Sequence, residues 1–428
     1  MKVMDEPPRH RPKFFYGWVI TGLVLLNLAT AYGAQYSFGV FFPSLVQEFQ
    51  WSRQDLAGAF SLYCLLYNFL GIFLGRLADR LGPRTVLVLG SFCLGTGIGL
   101  ISQVEVPWHL YLAYGLLAPF GMCAAYMTGS PTVVKWFIEK RGMALGLALS
   151  GMGWGIIIFP PITGILISAF GWRRACILLG AAVFSILFTS ALFLVSHPER
   201  LGLTPDGRPP KAPRNSWGSW SQGEGEIHYS MDQVIRTGSF WLLNLVFFLG
   251  WLFIFFPLVH LVILADDLGL SRESAYFALA LLGLFSNLGR IGLGSLSDRL
   301  GRKPMLIFSL GLQVFSWLWL LSTHTAWMLY AFALFFGLSY GGLGANFPAI
   351  TGDYFGRRNA AALIGAILTL SGWASAIGPW IGGMIYDVTH SYTIAFQLAA
   401  LCNFMGLIFI LFCKPPRVPS KGATVKER

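Results

Sequence analysis

The chain has 428 residues, of which 55% are hydrophobic and only 11% charged; soluble domains carry roughly 25% charged residues, so a soluble globular fold is excluded. Its 36 Phe, 15 Trp and 15 Tyr fall in long uncharged runs, which excludes disordered, collagen-like and coiled-coil chains. The net charge of +11 sits almost entirely in short loops between apolar segments, a pattern of membrane topology rather than of nucleic-acid binding.

A helix needs about 20 apolar residues to cross the hydrocarbon core, and uncharged stretches of that length divide the chain into twelve spans. An N-terminal tail, 1–15, carries charge and prolines without an apolar core ahead of a cleavage site, so the first span is expected to be retained. Six spans follow at 16–42, 54–75, 85–104, 108–134, 142–169 and 174–196. The segment 197–238 is rich in Pro, Gly and Ser, as in PERLGLTPDGRPPKAP, and reads as a linker with room for a short amphipathic helix. Six more spans lie at 239–264, 274–296, 304–322, 326–351, 360–386 and 392–413, before a polar tail, 414–428. With the N-terminus in the cytoplasm, that side holds 25 Lys and Arg and the other side four, Arg53, Arg173, Arg174 and Arg272. The positive-inside rule therefore puts both termini in the cytoplasm. The expected fold is an all-α membrane protein of 12 transmembrane helices.

GRLADRLGPR at Gly75 to Arg84 recurs as GSLSDRLGRK at Gly294 to Lys303, each between the second and third span of its half. Phe120-Gly121 and Phe336-Gly337 form a weaker echo. The fold is thus expected to be a parallel repeat of two six-helix halves, 16–196 and 239–413. Gly75 and Gly294 suit close helix approach, Asp79 and Asp298 suit the N-terminus of a neighbouring helix, and Arg80, Arg84, Arg299 and Lys303 suit bridges between loops.

No Asp or Glu lies in the middle of a span, so Arg290 in span 8 has no acidic partner at its own depth. An unpaired charge at the bilayer centre costs at least about 2.5–3.5 kcal/mol. Snorkelling is the structural alternative, but Asp298 is eight residues away, about 12 Å along a helix, roughly twice what a side chain spans. The register that takes Gly75 to Gly294 places Gly71 at the position equivalent to Arg290, so the scaffold itself requires no cation there. Arg290 is read as the group that binds an anionic substrate, because a guanidinium fork gives a carboxylate two parallel hydrogen bonds. A single cation favours a monoanion over a dianion.

Ser286, Asn287, Tyr126, Tyr340, Tyr36 and Tyr32 are the polar candidates for the same pocket, and Met152 and Phe347 are candidates for its apolar side; for the aromatics, Met152 and Phe347 the alternative is ordinary packing. His260 in span 7, with an ordinary pKa near 6.5, suits a proton relay or a satisfied structural role. Asp266 and Asp267, at the outer end of span 7, are read as a solvated helix end or as a proton or gating pair. Asp353 and Asp387 are read at the cytoplasmic ends of spans 10 and 11. The six cysteines, Cys64, Cys93, Cys123, Cys176, Cys402 and Cys413, show no C-x-x-C and no neighbouring histidine, so neither disulfides nor a metal site are suggested. The glycine runs at Gly95 to Gly99 and Gly151 to Gly155 follow no strand and precede no P-loop lysine, which argues against ATP-driven transport.

The repeated loop, which in the second half reads G-x-x-x-D-[RK]-x-G-[RK]-[RK] and in the first has Pro83 at the ninth position, resembles the signature of the major facilitator superfamily, over nearly the whole chain. FYGWVITGLVLLNLATAYGAQYSFGVFF in span 1 and KWFIEKRGMALGLALSGMGWG ahead of span 5 are similar to the signature regions of monocarboxylate transporters and their bacterial relatives, near the oxalate:formate exchangers. The small residues Ala144, Gly146, Ala148, Gly151 and Gly155 in the second stretch also read as close helix packing. The resemblance implies alternating access, a gating role for both signature loops and an essential arginine on helix 8. Animal members usually have an aspartate one turn before it and a lysine in helix 1, at positions that are Ser286 and Tyr36 here. The oxalate exchangers are implied to use a second cation on helix 11, whereas this chain has no Lys or Arg from Ala360 to Cys413. The expected activity is secondary transport of a small monocarboxylate of the lactate or pyruvate type with a proton; the alternative is an anion exchanger or a uniporter. The expected partners are that anion, a proton and the lipid bilayer, with no cofactor, ATP or nucleic acid, in a monomer of the bacterial inner membrane.

Overall fold

A computed structural model describes residues 15–137, 140–207, 231–355 and 360–416. Among the described residues there is no strand, and ten helical stretches are long and apolar enough to cross a bilayer. Two further helices, at Arg53–Leu81 and Ala360–Thr389, bring the spans to twelve.

The first span is two helices, α1 (Gly17–Tyr36) and α2 (Phe38–Phe49), broken at Ser37. Polar partners from other spans hold the break, as buried backbone requires: Tyr114 donates to the Gln35 carbonyl at 3.0 Å, and Thr163 to Ser37 Oγ at 2.9 Å. The second span is α3 (Arg53–Leu81) and the third α4 (Pro83–Leu100). The fourth is continuous through α5 (Pro107–Leu110), a π-helical stretch at Tyr111–Leu117 and α6 (Ala118–Trp136). The fifth joins α7 (Arg141–Leu149) to α8 (Gly151–Phe170), and α9 (Trp172–Phe193) is the sixth. The linker contributes the short helix α10 (Met231–Ile235). The seventh span is again broken, into α11 (Gly238–Trp251) and α12 (Phe256–Asp267); α13 (Arg272–Leu300), α14 (Arg302–Leu320), α15 (Ala326–Phe355), α16 (Ala360–Thr389) and α17 (Thr393–Phe412) complete the chain.

The sequence repeat governs local structure as well as composition. Ser52 and Ser271 are equivalent in the register that takes Gly75 to Gly294. Each accepts a first-turn backbone N–H, from Asp55 at 3.0 Å and from Ser274 at 3.3 Å. The helices they start end at Gly82 and Gly301, with φ of 85° and 95°, values that favour glycine. The halves meet where α3 packs on α16, α8 on α13 and α2 on α12. Large apolar side chains such as Phe73, Ile165, Trp327 and Phe412 stay exposed on the outside; exposed apolar surface of this extent marks a lipid-facing wall.

The span alternation corrects one expectation. Asp387 does not share an end with Asp353: α16 starts at the end that carries the signature loops, so its last turn lies at the opposite end, where Asp387 accepts from the backbone N–H groups of Arg53 and Gln54 at 2.9 and 2.8 Å. There it neutralises the first turn of α3, the favourable place for a carboxylate.

Candidate functional site

Arg290 is positioned by backbone-to-backbone packing of α13 on α15. A Cβ on Gly341 would overlap the Ser286 carbonyl and stand 2.6 Å from the Arg290 N, so no side chain separates the two helices there. The guanidinium is half-buried, and its only hydrogen bond among the described residues is a long one, Nη1 to the Leu149 carbonyl at 3.4 Å. That carbonyl closes α7, where the helix break leaves it free. No carboxylate pairs with Arg290 among the described residues, and most of its donors are available to a ligand.

The four expected tyrosines converge. Tyr32, Tyr36 and Tyr126 lie within electrostatic reach of Arg290, and the Tyr36 and Tyr340 hydroxyls are 3.2 Å apart across the two halves. Tyr32 pairs with Tyr67 at 3.3 Å, and the Tyr67 and Tyr126 rings meet edge-on at 6.5 Å. In each phenol pair only one hydroxyl donates, which leaves a donor free for substrate. Tyr67 was not among the sequence candidates, although it is the first-half counterpart of Ser286 in the repeat. Ser286 is fully buried with an unpaired hydroxyl. Met152, on α8, is half-buried against the main apolar core. Asn287 turns its amide to α8, against Gly153. Phe347 stands apart, packed on Phe247 and Trp251.

The remaining candidates lie at the end away from the signature loops. Arg53, counted in the sequence only as a loop charge, is 9% exposed and donates to both Asp267 oxygens at 2.6 and 2.7 Å and to Tyr392 at 2.9 Å. Its guanidinium stacks 3.5 Å over the Tyr386 ring. Asp266 is held separately by Arg272, at 2.7 Å. His260 is fully buried in this same region, with Nδ1 2.9 Å from the Tyr392 hydroxyl and Nε2 2.9 Å from the Pro379 carbonyl. Both ring nitrogens are thus engaged, and the imidazole belongs to the chain of contacts that runs through Tyr392 to Arg53. Arg53 and Asp267 belong to different halves, so this ion pair joins them. Replacing Arg53 with Ala should shift the balance toward opening by about 2 kcal/mol, about 30-fold, because it leaves Asp267 without its partner. The check is the modification rate of a thiol at Tyr386→Cys, with and without the Arg53 change; an unchanged rate would remove the pair from the closure.

The signature-loop end is different. Asp298 pairs with Arg302, which also reaches Asp353 at 3.6 Å, while Lys303 donates to the Leu411 and Cys413 carbonyls at the close of α17, 2.8 Å each. Arg80, Arg84 and Arg299 are exposed, and the side chain of Asp79 lies outside the described residues. Among the described residues, a Cβ built on Gly75 or Gly146 would meet no atom within 4 Å, whereas one on Gly294 would touch Ala345 of its own half at 3.3 Å. At the Arg53 end, by contrast, a Cβ on Gly383 would stand 2.7 Å from the Arg53 carbonyl. Among the described residues, the glycine contacts between the halves are therefore at the Arg53 end and not at the signature-loop end.

A protein that keeps its one intramembrane cation between the halves of a repeat, and among the described residues latches those halves at the Arg53 end, is built to expose one site to two sides in turn. The class is a multi-pass membrane transporter and not an enzyme. The chain belongs to the Major Facilitator Superfamily, whose family model matches residues 24–292 and 240–428. It is similar to monocarboxylate transporter 12-B of Danio rerio, 28% identical over 92% of this chain and 86% of that one. It is also 28% identical to human monocarboxylate transporter 11, over 98% of this chain and 87% of that one. Among solved structures it is similar in fold to a bacterial homolog of the human lysosomal transporter Spinster, in an inward-facing and unoccupied conformation. The TM-score is 0.68 at 14% identity, over 93% of this chain and 95% of that one.

Proposed function

We propose that the chain carries small organic monocarboxylates by alternating access, with Arg290 binding the carboxylate and the tyrosines around it taking the remaining polar groups. The observation that carries this reading is the guanidinium without a carboxylate partner among the described residues, with Tyr32, Tyr36 and Tyr126 within its electrostatic reach. Two relatives named monocarboxylate transporters support the substrate class. Both termini are read as cytoplasmic in a bacterial inner membrane, so the signature loops, Asp298 and Lys303 included, gate the cytoplasmic side and the Arg53 end faces outward.

A proton is the proposed coupling ion. The groups proposed to carry it are His260, Asp266 and Asp267, at the end where Arg53 holds Asp267 across the halves. Asp266, Asp387, Arg272, Tyr386, Tyr392 and His260 surround that pair. The absence of an acid at the depth of Arg290 favours a second reading, exchange of one anion for another, because an empty carrier would reorient with an uncompensated cation. Purified protein in liposomes separates the two: proton-coupled transport predicts that an inward proton gradient raises initial uptake of labelled lactate at least several-fold. Uptake that ignores the gradient but needs internal unlabelled anion would establish exchange.

A further inference from the structure

We infer that Asn68 and Asn287 are positioning residues of the transport cycle: each rests on a glycine of the opposite half, and together they form the pivot about which the halves rock. A Cβ on Gly372 of α16 would stand 2.5 Å from Asn68 Cγ of α3, and one on Gly153 of α8 would overlap the Asn287 amide of α13. The register that takes Gly75 to Gly294 also takes Asn68 to Asn287 and Gly153 to Gly372. The two contacts are one contact repeated by the pseudo-twofold relation between the halves, and a pair of points related in that way can serve as an axle.

Their place along the helices sets the role. Asn287 precedes Arg290 by one turn, so the pivot lies at the depth of the proposed anion site. Eleven residues beyond Gly372 is Gly383, and eleven beyond Gly153 is Gly164, each about 16 Å along its helix. Gly383 abuts the Arg53 backbone and Gly164 abuts the Tyr276 ring, both across the halves. Seven residues the other way, about 10 Å, are Gly75 from Asn68 on α3 and, across the Ser150 break, Gly146 on α7 from Gly153 on α8. Among the described residues, nothing stands within 4 Å of a Cβ on either. The asparagine contacts thus sit at the changeover between closed and open, the level at which a rocking motion displaces atoms least.

Their chemistry fits a contact that persists. Asn68 Nδ2 donates to Cys64 O in its own helix at 2.8 Å, so rocking breaks no hydrogen bond between the halves there. The closed end is the opposite case, since opening must separate the Arg53 guanidinium from Asp267. One pair of contacts is a bearing and the other a latch.

The test is a cross-link at each place. An Asn68→Cys, Gly372→Cys pair brings sulfur positions within disulfide reach, given the 2.5 Å separation of Cγ from the ideal Cβ. An Arg53→Cys, Asp267→Cys pair is joined instead by a short two-thiol reagent. In liposomes, oxidising the first pair should leave at least half of the uptake measured in the same sample after reduction, whereas bridging the second should cut uptake more than tenfold; wild type under both treatments controls for the native cysteines. Uptake abolished equally by both cross-links would overturn the pivot.

A second readout needs no substrate, so it separates failure of the pivot from failure of the proposed monocarboxylate function. The modification rate of a thiol at Tyr386→Cys, which reports opening of the Arg53 end, should be unchanged within about twofold by the Asn68–Gly372 disulfide, and a tenfold slowing would contradict the inference. A Gly153→Cys, Asn287→Cys pair repeats this measurement on the other side of the axis should the first pair not assemble.

Discussion

Replacing Arg290 with Gln is expected to lower monocarboxylate affinity by two to three orders of magnitude. Glutamine is shorter, keeps a hydrogen-bond donor and loses the charge, and removing one partner of a desolvated charge-assisted pair costs about 3–4 kcal/mol, at about 1.4 kcal/mol per decade. Arg290→Lys should recover about one decade, since the ammonium restores charge without the planar fork. The Gln substitution also removes an unpaired cation from an apolar span, so the thermal unfolding midpoint should hold or rise. Loss of binding with unchanged or raised stability is the pattern of a ligand group; loss of both would show Arg290 holding the fold, and unchanged affinity would put the anion elsewhere.

The second large effect concerns the broken seventh span. Between α11 and α12 the chain turns at 252–255, and Gly378 of α16 lies directly on the Leu252 carbonyl. A Cβ there would overlap that oxygen and stand 2.7 Å from its carbon and 3.1 Å from Phe253 Cα. All three atoms are backbone, so no rotamer change relieves the clash. Gly378→Ala should therefore destabilise the protein by about 3 kcal/mol or more, at the upper end of overpacking costs. It should also disturb the adjacent Pro379 carbonyl, which lies 2.9 Å from His260 Nε2. Gly344→Ala is the control, because among the described residues nothing lies within 4 Å of its Cβ and alanine is the better helix former. Thermal unfolding in detergent should separate the two variants by several degrees; equal midpoints would mean that the turn at 252–255 yields freely.

The repeat was the most legible feature, because a single register relates the signature loops, the Ser52 and Ser271 caps, the terminal glycines Gly82 and Gly301, and the asparagine contacts. Arg290 was legible for a related reason: cost singles out a lone charge in an apolar span, and Gly71 in the other half shows that the scaffold does not demand it. What the residues could not reveal depends on helices distant in sequence. Arg53 reads as one of a few charges at a loop until α12 and α16 bring Asp267, Tyr386 and Tyr392 around it. The break at Ser37 falls on no proline and is held by cross-helix partners, Tyr114 and Thr163; that at 252–255 lies just ahead of Pro257 in the first turn of α12, which cannot donate to the Phe253 carbonyl, so this one the residues do signal. His260 shows in sequence only as a polar residue in an apolar span, and where its two nitrogens point is decided by Pro379 and Tyr392. Asp387 closes its span as Asp353 does, but α16 runs opposite to α15, so the two aspartates lie at opposite ends and Asp387 meets the first turn of α3.

The central claim is that a negative charge on the solute is what Arg290 recognises. Lactate and lactamide have nearly the same shape and the same hydroxyl, and differ in that charge. Equilibrium competition against labelled lactate on the purified protein compares them directly. Arg290 recognition predicts that lactate competes and lactamide does not, with at least a hundredfold between their half-maximal concentrations in wild type and a gap near unity in Arg290→Gln. Equal competition by the two in wild type would contradict it.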